Sequence, residues 1–327
     1  MKNTALSWAV LAAFVGACGG EPSQAPESTA SVEQAPSASG EISAYGVSAN
    51  GRNLNGISLN GRNLNGRELN GRALSNAQLH SVPLSRLWLE GSALATETAT
   101  GQVLRGASLV GAELGDSTGQ GARVRLDSVT AQGDIWFYTV SYWAEGGWKP
   151  LCPSDENPAQ GLGAIALSGR WDYRQGVPGG GDHIAEPGMI TFACSNGALA
   201  KCASFGYAPW RQAVQCTSQG CATVSLANHH QACTRMVRAD YCGDGRSFTR
   251  DGMLINLYDA AGLQLDTESW ALEAEWDAQG ARCVSQRRLG GTEVPACARN
   301  LYPSDCGAPT HFTSGTLLMT EFDASHQ

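Results

Sequence analysis

The chain has 327 residues, of which 16% are charged, with 30 acidic against 22 basic side chains and a formal charge of -8. An acidic chain gains nothing from counterion release on a phosphate backbone, so nucleic acid is excluded as a partner. Nor is there a basic patch of the kind that holds a membrane surface.

Near the N-terminus, Lys2 supplies a short positive region ahead of an almost unbroken apolar run from Ala5 to Val15. A membrane span needs about 20 apolar residues, so the run fits the core of an export signal instead. It ends in Val15-Gly16-Ala17-Cys18, which resembles the lipobox of bacterial lipoproteins: a branched apolar residue, two small residues and a cysteine. The resemblance implies cleavage after residue 17 and a diacylglycerol on the Cys18 thiol. Several acyl chains, at about 0.8 kcal/mol per buried methylene, anchor a protein almost irreversibly. Gly19 stands where an aspartate would retain a lipoprotein at the inner membrane. The expected place is therefore the cell envelope, at the outer membrane.

Residues 18–50 are rich in Pro, Ser, Ala, Glu and Gly, and read as a disordered tether. Over residues 51–117 leucine recurs every five residues, from Leu54 to Leu94 and again at Leu104, Leu109 and Leu114, with Asn-Gly pairs in step from Asn50 to Gly71. A period of five is neither helical nor strand-like. It resembles the pentapeptide-repeat family, whose central leucine points into a square right-handed β-solenoid. That family wants a small residue two positions before the leucine, where this chain has Arg52, Arg62, Arg67 and Arg72. Four arginines cannot be buried unpaired in so narrow a core. Later units carry Ala77, Ala107 and Ala112 there. The segment reads either as a low-complexity spacer or as a partial solenoid from about Leu74 to Leu114.

Beyond residue 120 the pattern becomes that of a mainly β, α+β domain. Arg123–Val129, Ile135–Trp143, Ala164–Leu167, Met189–Ala193 and Met253–Tyr258 have strand composition. Gly179, Gly180 and Gly181 mark a loop. Leu226–Tyr241 reads as the one principal helix, with Asn228 as N-cap, a stripe through Cys233, Met236, Val237, Asp240 and Tyr241, and Gly243 as its left-handed stop. Trp270–Asp277 reads as a strand with Glu273 and Glu275 on its wet face.

Of the eleven cysteines, ten lie in this part: Cys152, Cys194, Cys202, Cys216, Cys221, Cys233, Cys242, Cys283, Cys297 and Cys306. An even number in an exported chain predicts a disulfide framework. A zinc site wants closer pairs such as C-x-x-C, and the tightest here, Cys216 and Cys221, has four residues between. Order does not fix connectivity. The local pairings Cys194–Cys202, Cys216–Cys221 and Cys297–Cys306 are the expectation.

Asp240 sits on the apolar stripe and should be buried. Its structural role would be to accept backbone amides or pair with an arginine. Its chemical role would be an acid or base in a pocket. His229 and His230 lie too far along the helix to serve it, about 16 Å away by helical rise, so a partner would have to be His183 or His311. His229 and His230 read as polar residues of the first turn. Asp244 and Asp251 are too sparse for a calcium loop. No metal or cofactor is expected.

The run from Ala232 to Gly245, ACTRMVRADYCGDG, is similar to the signature of the ADYC domain, named for Ala239-Asp240-Tyr241-Cys242. Gly206–Trp210 and Glu273–Trp276 with Gly280–Cys283 also fit. The resemblance covers about residues 120–320 and implies a domain of bacterial, myxobacterial-type lipoproteins, often preceded by Leu-Asn-Gly repeats. It implies no mechanism. The expected function is a lipid-anchored envelope module that binds a glycan or protein ligand or serves a structural role. The alternative is an envelope hydrolase built on Asp240 and a histidine from another segment.

Overall fold

The computed structural model describes residues 50–53, 72–73, 76–80, 82–115, 123–154, 157, 159–217, 220–250, 253–290, 294–297, 306, 312 and 314–323. The leader, Cys18, most of the tether, the repeat units of residues 54–71 and His311 lie outside them.

The first strands are β1 (Asn50–Asn53), β2 (Arg72–Ala73), β3 (Asn76–Leu79), β4 (Val82–Glu90), β5 (Ala93–Thr98), β6 (Val103–Arg105) and β7 (Ala112–Gly115). They are followed by β8 (Val124–Gln132), β9 (Ile135–Ala144), β10 (Gly147–Pro150), β11 (Gly163–Ser168), β12 (Arg170–Trp171), β13 (His183–Ile184) and β14 (Met189–Cys194). Helix α1 (Ala198–Ser204), strands β15 (Gln212–Thr217) and β16 (Gly220–Ser225) and helix α2 (Ala227–Arg238) come next. Strands β17 (Leu254–Asp259), β18 (Ala271–Asp277), β19 (Gly280–Val284) and β20 (Leu318–Phe322) complete the chain. The fold is α+β and mainly β.

The later repeat units do not form a coil. Strands β3 to β7 pair antiparallel with one another, and β7 pairs with β8, so the segment joins the large sheet ordered β2-β14-β11-β9-β8-β7-β3-β4-β5-β6. Among the described residues, the strands before and after residue 117 belong to one sheet. The reason is burial: Leu84, Leu94, Leu109 and Leu114 pack against Val124, Leu126, Tyr138 and Phe192 in one core, which a few isolated coils could not supply. The sheet curls so that β5 lies against β9. The Tyr138 hydroxyl accepts the amide of Leu94 at 2.7 Å and donates to the carbonyl of Ser92 at 3.1 Å.

A second sheet, ordered β1-β17-β20-β18-β19, carries α2 on one face. Met236, Val237 and Tyr241 pack there with Ile255, Leu257, Ala274, Trp276 and Phe322. Helix α1 packs beside α2 and reaches the large sheet through Leu199 and Ala203. Helix α2 is thus enclosed on several sides. Its arginines, Arg235 and Arg238, which lie off the apolar stripe, are buried all the same. Leu226, not Asn228, takes the N-cap position, without a side-chain cap. The left-handed stop is Ala239, at φ 52° and ψ 41°, rather than Gly243.

Five disulfides join Cys152–Cys194, Cys202–Cys233, Cys216–Cys221, Cys242–Cys297 and Cys283–Cys306. Only the hairpin pair Cys216–Cys221 follows the local expectation. The pairings Cys194–Cys202 and Cys297–Cys306 are corrected. β11 lays the loop after Cys152 beside Cys194, and the two helices bring Cys202 to Cys233. Tertiary neighbours outcompete sequence neighbours.

Candidate functional site

The ADYC motif sits where α2 ends, and each of its residues has a separate mechanical task. Ala239 closes the helix: its amide and that of Asp240 return to the carbonyls of Met236 and Arg235, each at 2.9 Å. A left-handed alanine costs about 1–2 kcal/mol. Its methyl is fully buried in the core, so a glycine would relieve the strain but lose that packing.

Asp240 is the clamp. Its Oδ2 accepts Arg235 Nη1 at 2.5 Å and the amide of Gly245 at 3.0 Å, and Oδ1 accepts the amide of Asp244 at 3.1 Å. Burial pushes its carboxyl above the ordinary value, while Arg235, Arg238 and the Gly245 amide pull the other way. Arg235 extends the clamp outward, donating to the Gly180 carbonyl and to Asp182 Oδ1 at 2.5 Å. Gly181, at φ +80°, lets that loop approach, since a Cβ there would stand 2.4 Å from the Arg235 guanidinium. Arg238 donates to the Gly245 carbonyl. One turn, one helix and one glycine loop are therefore tied through two guanidiniums.

Tyr241 is the anchor. Its hydroxyl donates to Glu273 Oε1 at 2.8 Å and accepts the Arg288 amide at 2.9 Å, and its ring stacks on Trp276 with centroids 5.3 Å apart. Burial holds its phenol well above the ordinary value. Cys242 is the staple, bonded to Cys297. Gly243, at φ +62°, packs so closely that a Cβ would meet the Gln279 carbonyl oxygen at 1.6 Å.

Glu273 and Glu275 are corrected most sharply: neither is on a wet face, and both are 0% exposed. A β-bulge between Leu272 and Ala274 breaks the alternation on which that expectation rested. Glu273 receives Arg288 Nε at 3.0 Å and Nη2 at 2.8 Å. Arg288 also donates from Nη2 to the Met236 carbonyl at 3.0 Å. Glu275 Oε2 accepts the Thr316 hydroxyl at 2.5 Å.

Among the described residues, the histidines do not converge on Asp240. His183 is exposed on β13, with Nε2 3.0 Å from the Ser168 carbonyl and its ring 4.6 Å from that of Trp171. His229 and His230 lie in the first turn of α2, but both are buried. His230 Nε2 lies 2.9 Å from the Leu199 carbonyl, and burial lowers its pKa to about 4. His229 stacks on Tyr207, and burial lowers its pKa too. Among the described residues, no three His, Cys, Asp or Glu side chains are placed to hold a metal ion. The arrangement can fix a turn and resist solvent; every described hydrogen bond to the Asp240 carboxylate comes from a guanidinium or a backbone amide. Arg288 and Asp182 are members of this network that sequence reasoning missed. Neither falls on a periodic element, and only an unpaired buried Tyr241 or Arg235 could have pointed to them.

Comparison with curated proteins and with solved structures returns no match. The model of the ADYC domain matches residues 104–290, more than half of the 327-residue chain, starting inside the repeat-phased segment that the large sheet absorbs. The chain belongs to the ADYC domain family.

Proposed function

We propose that this protein is a lipid-anchored component of the bacterial cell envelope whose ADYC domain is a non-catalytic binding module. The observation that carries the reading is the closure of its motif. Asp240, Tyr241 and Glu273 spend their polar atoms on Arg235, Arg288 and backbone amides, which makes the motif a brace for a surface displayed elsewhere. The hydrolase alternative needs a histidine at Asp240. His183 is committed to Ser168, and His311 lies outside the described residues. Five disulfides support a life in an oxidising compartment. The Val15–Cys18 motif supports the anchor.

Mass spectrometry of the mature protein from its own cells tests this. An N-terminal Cys18 carrying acyl chains and ten oxidised cysteines is the expected result. A chain that keeps residues 1–17, or that carries free thiols and no lipid, would overturn it. Hydrolysis of a chromogenic ester, amide or glycoside that is lost in Asp240→Asn, with folding intact, would restore the hydrolase reading.

A further inference from the structure

The outward face of the large sheet carries a built surface that the motif does not use. Across β3, β7, β8 and β9, Gln78, Glu113, Arg125 and Ser141 stand in register as one row. Beside that row, Trp143 and Trp148 face each other across the β9–β10 hairpin, with centroids 5.3 Å apart and planes at 76°. The Arg123 guanidinium lies 5.2 Å from both indole centroids, and that of Arg125 lies 4.6 Å from Trp148. Each arginine is held in turn by a carboxylate, Arg123 by Glu113 at 2.8 Å and Arg125 by Asp127 at 2.6 Å. Gln78 and Ser141 bind the same two carboxylates. The cluster is fixed yet open: Trp143 is 42% exposed and the Arg123 side chain 50%.

Holding Trp143 in water beside a half-buried Trp148 costs apolar exposure that the nearby core could have relieved. The charges narrow what could cover them. Two arginines and two carboxylates cancel, so the patch favours neither an anionic polymer nor a phospholipid headgroup. Charged pairs stand within the cluster itself, unlike the charge-depleted centre of a protein interface. What the patch offers is an indole face for an apolar C–H surface, bordered by planar donors and acceptors for hydroxyl groups. A pyranose ring presents that combination, with C–H groups on its face and hydroxyls around its edge.

We infer that Trp143 and Trp148, set by Arg123 and Arg125, form a binding site for a neutral glycan. The inference rests on the reading of the domain as a binding module and names its ligand class. The test uses the full mature protein on an array of neutral oligosaccharides that includes cellohexaose, maltohexaose and chitohexaose. Hyaluronate and phosphatidylglycerol vesicles serve as anionic probes. Binding of at least one neutral glycan is expected, weakened about tenfold or more in Trp143→Ala and Trp148→Ala. Arg123→Lys keeps the charge but loses the planar stack and should also weaken it, and Val214→Ala, on the exposed β15–β16 hairpin, should not. Thermal melts of each variant check folding. Neutral-glycan binding that survives both tryptophan changes, or no neutral-glycan binding at all, overturns the site. Binding confined to hyaluronate or vesicles and lost with the tryptophans overturns the glycan but leaves a binding module standing. Silence toward every probe, with no partner recovered by cross-linking in the intact envelope, sinks the module reading as well.

Discussion

Arg288 grips Glu273 through two nitrogens, at 3.0 and 2.8 Å, with the two side chains only 1% and 0% exposed. That pair connects three parts of the fold. Glu273 belongs to β18, Arg288 follows β19, and the same guanidinium reaches the Met236 carbonyl near the end of α2. The phenol of Tyr241 joins them. Removing one partner leaves the other charge buried without compensation, which typically costs about 3–5 kcal/mol. Glu273→Gln and Arg288→Met should each lower unfolding free energy by that order. The double variant should lose less than the sum, because neither charge is then stranded. Urea denaturation of the four proteins checks this; strict additivity would contradict the pairing.

Asp240→Asn keeps the side chain's shape but removes the charge that faces Arg235. One amide hydrogen would also point at a donor. The expected loss is about 3 kcal/mol, with the glycine loop around Gly181 loosened, since Arg235 holds both. Amide hydrogen exchange should rise at Gly180–Asp182 and Asp244–Gly245 together. Faster exchange at the turn alone would show that Arg235 does not transmit the clamp.

The depressed pKa of His230 sets a direction for acid sensitivity. Its folded-state value is about 4, against 6.5 for an unperturbed imidazole, because burial disfavours the cation. Between those values the unfolded chain takes up a proton that the folded chain refuses. Stability from this group is therefore complete above the unfolded value and declines as pH falls toward the folded one. The shift corresponds to about 3 kcal/mol. His230→Gln should flatten the loss of stability between about pH 6.5 and 4. Denaturation midpoints across that window in both proteins decide it, and an unchanged slope would show that other groups carry the acid response.

The disulfides should contribute unequally. Cys242–Cys297 spans 55 residues and Cys216–Cys221 only 5. By loop entropy the first contributes about 4 kcal/mol and the second about 2. Replacing each pair by serines and measuring unfolding free energy gives the comparison. A total of about 5–15 kcal/mol is normal for a domain, so full reduction should unfold this one. Retention of native near-ultraviolet dichroism after full reduction would show a core sufficient by itself.

Several features were legible in the residues. Arg123–Val129 and Ile135–Trp143 have strand composition, the second with bulk on both faces, so β8 and β9 could be read locally. The spacing of Cys233, Met236 and Val237 gave the helix. The burial of Asp240 followed from its stripe. The disulfide framework was legible as a count, and one hairpin pairing as a short separation.

Four outcomes depended on the tertiary structure. The five-residue leucine period suggested a coil, but leucines will join whichever core buries them most fully, and the neighbouring sheet offered a larger one. Glu273 looked wet because alternation assumes an unbroken strand, and a bulge with a distant arginine removed that assumption. Cys152 and Cys194 met because β11 and β14 pair, a contact 42 residues apart along the chain. Trp143 and Trp148 became a surface only when Arg123, just before β8, and Arg125, within it, came up beside them. Sequence periodicity fixes which residues share a face of one element. What lies across from that face is decided by long-range packing, where burial and pairing energies exceed local preference.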